Sequence, residues 1–207
     1  MGIFDWFRRP PPIADRSAVE DYLDSRAAFL AQKSIFDYAR GRSGPYFSQM
    51  IKEKAFNDGV NEARWRNYPF GLSIVAEMVH VVLLPAVGEP APLASALKAS
   101  ALDAFDRYPV PAMLGSEYWT GARAALAQRV GAIALHPPKF VKDIPTPFAD
   151  VFFNNMPIHE RLRGQDFELI RNQLRVNLLS MHRDFAKRAD LDALAGAIRQ
   201  SADQPAA

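Results

Sequence analysis

The chain of 207 residues has no cysteine, which excludes a disulfide framework, thiolate catalysis and cysteine-ligated zinc or iron-sulfur centres. A reducing compartment is permitted, and a cytoplasmic location is the expectation. It also lacks a strong charge of either sign: 25 Lys and Arg stand against 23 Asp and Glu. An excess of two gives too weak a field to imply nucleic acid as a partner. Neither glycine-rich phosphate cradle is present, neither Gly-x-Gly-x-x-Gly nor Gly-x-x-x-x-Gly-Lys-Ser/Thr, which argues against the common nucleotide enzymes. No apolar run reaches the roughly 20 residues of a bilayer span; the longest, 69–84, is interrupted by Glu77 and His80. The start of the chain lacks the apolar stretch and cleavage site of a secretory signal, so no export is expected.

What is abundant is apolar side chain, at 49% of residues, and proline, with 16. This is a globular composition, long enough to bury about 70% of the unfolded surface. Proline removes a helix donor and restricts the residue before it, so its clusters at 10–12, 85–92, 109–111 and 137–147 divide the chain into segments. Most of these read as helices. Ser17 and Glu20 have the spacing of a capping box, followed by Val19, Tyr22, Leu23, Leu30 and Phe36 at mostly helical intervals, with Gly41 and Gly44 as stops. A shorter helix is expected over 46–56. Pro69 is placed at the first position of a central, buried helix over 69–84.

Helices are expected over 93–107 and 116–135, capped at Pro92 and Ser116, with an extended stretch over 137–147 and a short helix or turn over 148–155. The clearest amphipathic pattern runs from Asp166 to Lys187 through Phe167, Ile170, Leu174, Leu178, Met181 and Phe185. A last helix starts at Asp190. The fold class is thus all-α, a single-domain bundle of about seven or eight helices over 13–200, preceded by an N-terminal element over 1–12 and followed by a disordered tail over 201–207.

Residue chemistry is sparse. Glu77 and His80 have the Glu-x-x-His spacing of helical di-metal proteins, but no second such motif accompanies them. Neither a metal nor another cofactor is expected, and the pair is read as buried and satisfied mutually or by an arginine. Gly41-Arg-Ser-Gly44 is not a nucleophile elbow, because its second glycine comes one position early. Ser116 with His136 or His159 carries no geometric warrant as a catalytic pair. Arg64, Trp65 and Arg66 form a cationic and aromatic cluster suited either to helix packing or to an anionic ligand.

The composition of the first nine residues suggests an external contact. Ile3, Phe4 and Phe7 share a helical face, Trp6 lies beside it, and Arg8 and Arg9 precede Pro10, Pro11 and Pro12. This two-turn amphipathic element suits packing on its own domain or on a sister subunit of a homo-oligomer, or else contact with an anionic membrane surface or a protein groove. A basic edge at Arg171, Arg175, Arg183, Lys187 and Arg188, with His182, offers a second contact to the inner face of a membrane, or else a solvated helix face. The start resembles the amphipathic membrane-targeting starts of some bacterial peripheral proteins.

Two segments, Ser25-Arg-Ala-Ala-Phe-Leu-Ala-Gln-Lys-Ser-Ile-Phe-Asp-Tyr-Ala-Arg-Gly-Arg-Ser-Gly44 and Ala63-Arg-Trp-Arg-Asn-Tyr-Pro69, resemble a family of helical proteins predicted from alphaproteobacterial genomes, some of them labelled esterases. The resemblance implies a helical fold and no catalytic residue. The functional expectation is a non-enzymatic interaction or scaffold protein with peripheral contact through its N-terminus. The alternative is a small-molecule-binding protein or esterase-like hydrolase with a pocket near Arg64, Arg66, Glu77 and His80.

Overall fold

The structure, a computed structural model, describes residues 11–203. Ile3, Phe4, Trp6, Phe7, Arg8 and Arg9 lie outside the described residues. The first described contact is made by Ile13, whose N–H donates to the Arg188 carbonyl at 2.9 Å and whose carbonyl accepts from Asp190 at 2.9 Å. This isolated bridge ties the start of the fold to its last helix–helix junction.

Helix α1 (Arg16–Ser43) is capped by Asp15, whose side chain accepts from the Ala18 N–H. The Ser17 capping box does not form. A carboxylate two positions earlier on the same exposed turn serves instead, and Glu20 is engaged by Arg16 and Arg107. Gly41 stays helical; Gly44, at φ 51°, ends the helix and donates to the Arg40 carbonyl. The helix expected over 46–56 shrinks to α2 (Phe47–Met50).

Helix α3 (Lys54–Val87) runs 34 residues, about 50 Å at 1.5 Å per residue. Pro69 does not start a helix but lies inside this one, as does Pro85. An interior proline costs about 3 kcal/mol through its missing donor and ring clash, and burial outweighs it here. From Asn67 to His80 every residue but Phe70 is buried, and α3 packs against most of the other long helices. It is also the one described helix long and apolar enough to cross a membrane, but most of that stretch is buried within the bundle. Gly88, at φ 84°, ends α3, and Arg199 donates to the Ala86 and Val87 carbonyls from the last helix.

Helix α4 (Pro90–Asp106) starts two residues ahead of the expected Pro92 cap. Helix α5 (Ser116–Gly131) is preceded by Gly115 at φ 75°, so Ser116 begins the helix and does not cap it. Short 3-10 turns at Val141–Asp143 and Thr146–Phe148 break the stretch expected to be extended. After α6 (Ala149–Asn154) and α7 (Glu160–Arg163), helix α8 (Phe167–Arg188) follows the amphipathic pattern read from sequence, burying Ile170, Leu174, Leu178, Met181 and Phe185 against α1, α3 and α6. Helix α9 (Leu191–Asp203) continues through Ser201, where a disordered tail was expected. No strand occurs among the described residues, and the result is an all-α single-domain bundle around α3.

Candidate functional site

The polar residues of α3 divide into two clusters along its length. Arg64 and His80 are sixteen residues apart, about 24 Å along the axis, so Arg64 and Arg66 share no pocket with Glu77 and His80. At the first cluster, Trp65 meets Tyr68, Tyr108 and Trp119 edge-on at ring-centroid distances of 5.9, 5.1 and 5.8 Å. Such edge-to-face contacts are favoured packing geometry. The Tyr68 and Tyr108 hydroxyls both donate to Asp24. Arg64 borders only a small cleft of about 130 Å³ between these rings and α1. Arg66 donates to Glu62 at 2.8 Å and lies 4.9 Å over the Tyr118 ring. The Arg64–Trp65–Arg66 run therefore joins α1, α3, α4 and α5 by packing.

At the second cluster, the Glu77 carboxylate is buried as expected but, contrary to the sequence reading, is paired with neither His80 nor an arginine. Its Oε1 lies 2.8 Å from Lys139 Nζ and 3.8 Å from His136 Nε2. Both partners come from the loop after α5, whose spacing from Glu77 in sequence gives no hint of the contact. Neither ring nitrogen of His80 has a hydrogen-bond partner among the described residues. Burial pushes its ionisation below the usual histidine value, against the Pro90 backbone and the Glu77 charge, so the ring is held neutral. No group of three or more His, Cys, Asp or Glu suited to a metal ion occurs among the described residues.

The third candidate is the surface of α8. Its basic edge is largely engaged: Arg171 pairs with Glu168, Arg175 bonds Asp143 at 3.0 Å and the Lys142 carbonyl at 2.9 Å, and Arg188 pairs with Asp184 at 3.1 Å. Arg188 also donates from Nε to the Pro11 carbonyl at 3.2 Å, which fixes the end of the proline spacer beside the C-terminus of α8. Arg183 and Lys187 are exposed. On the same outward face Leu169, Val176 and Leu179 remain 50%, 65% and 39% exposed. Positions 169, 176, 179, 183 and 187 fall at steps of seven, three, four and four, a second stripe on the helix. The sequence contained that signal, but the stronger buried stripe overshadowed it.

Compared with protein-family models, with curated proteins and with solved structures, the chain matches none.

Proposed function

We propose that the protein is a non-enzymatic interaction protein that makes peripheral contact with an anionic membrane face through two surfaces, the N-terminal element and the outward face of α8. The observation that carries this reading is the Arg188–Pro11 bond. It anchors Pro11 beside Arg188 at the C-terminal end of α8, so the chain enters the described fold at the helix that carries Arg183 and Lys187. A two-turn amphipathic element alone binds a membrane weakly and reversibly; stable attachment takes a second signal, and a basic patch is a suitable one. The cytoplasmic leaflet is negative and contributes about 1 kcal/mol per nearby Lys or Arg. Leu169, Val176 and Leu179 add apolar side chains that a soluble surface gains nothing by exposing together.

Co-sedimentation with vesicles of phosphatidylglycerol and phosphatidylcholine tests this. The intact chain is expected in the pellet, while a variant lacking residues 1–12, with unchanged helical circular dichroism, binds at least tenfold more weakly. Equal recovery of both forms would falsify the membrane reading and leave a protein groove as the destination of the N-terminal element.

A further inference from the structure

Between α3 and α5 lies a groove of about 820 Å³, open along one side and lined by Phe70, Tyr118, Gly121, Ala122, Ala125 and Arg129 among others. Its volume is within the range of small-molecule sites. The positions on α5 recur at steps of three and four, so one helical face forms the floor. That face is low because its centre is Gly121, Ala122 and Ala125, and a Cβ built on Gly121 would meet nothing within 4 Å. Aromatic walls flank this floor. The Phe70 ring stands on α3 near Phe148, and Tyr118 is held under the Arg66 guanidinium.

Arg129 is the unusual member. Its guanidinium lies 4.4 Å over the Phe70 ring, and its Nη1 is buried without a hydrogen-bond partner. Arg26, Arg163 and Arg171 also have a buried unpaired nitrogen, but each places another guanidinium nitrogen on an oxygen, of Asp184, Phe153 and Glu168 respectively. Arg129 makes no such contact among the described residues. A desolvated cation is normally paired, because an uncompensated one is costly. Burial lowers the tendency of Arg129 to hold its proton, with only the Tyr118 phenol acting the other way. Glu117, the acidic residue of the groove, belongs to the first turn of α5, twelve residues and about 18 Å along the axis from Arg129.

We infer that this groove is a binding site for a small aromatic anion, whose ring packs between Phe70 and Tyr118 over the Gly121–Ala125 floor and whose carboxylate or sulfonate pairs with Arg129. The planar guanidinium offers two parallel donors to such a group, which a lysine would not. Stacking on Phe70 presents those donors without rotamer loss. The site is separate from the α8 surface and requires no chemistry, so it stands whether or not the protein binds membranes.

The probe is 8-anilinonaphthalene-1-sulfonate, with neutral N-phenyl-1-naphthylamine as its uncharged counterpart, followed by fluorescence on the intact chain. Arg129→Gln is expected to weaken the sulfonate at least tenfold and change the neutral probe less than twofold. Gly121→Leu fills the floor from a position where an added Cβ is unhindered, and is expected to weaken both probes at least tenfold while melting no lower than wild type. Naphthalene-1-acetate is expected to displace the sulfonate, whereas the same concentration of inorganic phosphate does not. Unchanged sulfonate binding in both variants places the probe elsewhere and overturns the inference, as does no binding to the wild-type chain. Displacement by phosphate alone overturns the aromatic part of the ligand class.

Discussion

His80 carries two ring nitrogens into the core with no hydrogen bond of good geometry to either, the nearby Pro90 backbone offsetting burial only in part, and an unsatisfied buried polar group costs about 1–3 kcal/mol. Its folded-state ionisation lies below the ordinary histidine value because burial disfavours the charged ring. The unfolded chain therefore binds the proton more readily, and stability rises with pH wherever the two states differ in protonation. The contribution is fully present above about pH 6.5 and is lost as the pH falls through the folded-state value. His80→Leu removes both the orphaned nitrogens and the titration. Its urea midpoint at pH 7.5 is expected to equal or exceed that of wild type, by up to about 1 kcal/mol in stability. Between pH 7.5 and 5.5 it should lose less than wild type does; parallel losses would show that the ring does not titrate with folding. Glu77 is a different case. With Lys139 at 2.8 Å its charge has a counterion at the edge of the core, so burial is offset by a partner and not by neutrality.

At the scale of elements, the closest helix pair decides how much substitution the bundle tolerates. A Cβ on Gly71 of α3 would sit 2.9 Å from the Ala27 carbonyl oxygen and 3.2 Å from the Ala27 Cα of α1. These are backbone atoms, so relief requires the helices to move apart. Alanine in place of glycine gains about 1 kcal/mol of helix propensity, whereas overpacking a core contact costs about 1–3 kcal/mol. Gly71→Ala is expected to lower stability by about 1–2 kcal/mol. Gly121→Ala, with open space around the added methyl, should gain up to about 1 kcal/mol. Chemical denaturation of the two variants checks the pair; a stabilised Gly71→Ala would mean that α1 and α3 adjust freely. Periodicity showed where the helices are, because α4, α5 and α8 each put their apolar side chains on a face. Their boundaries were less legible. Pro69 reads locally as a helix start, and what keeps α3 continuous through it is contact with helices distant in sequence. Asp15 displaced Ser17 as a cap for a comparable reason, since Glu20 had salt-bridge partners in Arg16 on its own helix and in Arg107 at the end of α4.

For the whole molecule, individual residue types were legible but their convergence was not. Arg64, Trp65, Arg66, Glu77 and His80 stand out in sequence, yet a continuous helix spreads them over about 24 Å. Lys139 and Arg129, which give the polar interior its charge pattern, carried no local signal. The relation of Pro11 to Arg188 is likewise a consequence of tertiary structure, 177 residues apart in sequence. It fixes Pro11 to the end of α8, so in the proposed reading the N-terminal element is tethered to the helix that carries the other contact, and the second engages at raised effective concentration once the first is made. Loss of either is then felt by both. Arg183→Glu with Lys187→Glu leaves the N-terminal element intact and reverses two exposed charges on α8. At about 1 kcal/mol for each cation removed, vesicle affinity is expected to fall at least thirtyfold, and further through repulsion by the new carboxylates. The same variant should retain the weaker binding that the N-terminal element provides, with the smaller salt dependence that Arg8 and Arg9 confer. Raising the ionic strength from about 0.05 to about 0.5 M, which shortens the screening length severalfold, should reduce the wild-type protein toward the variant and weaken the variant less. If both proteins respond to salt alike, the electrostatic contact lies elsewhere on the molecule and α8 is only a solvated face.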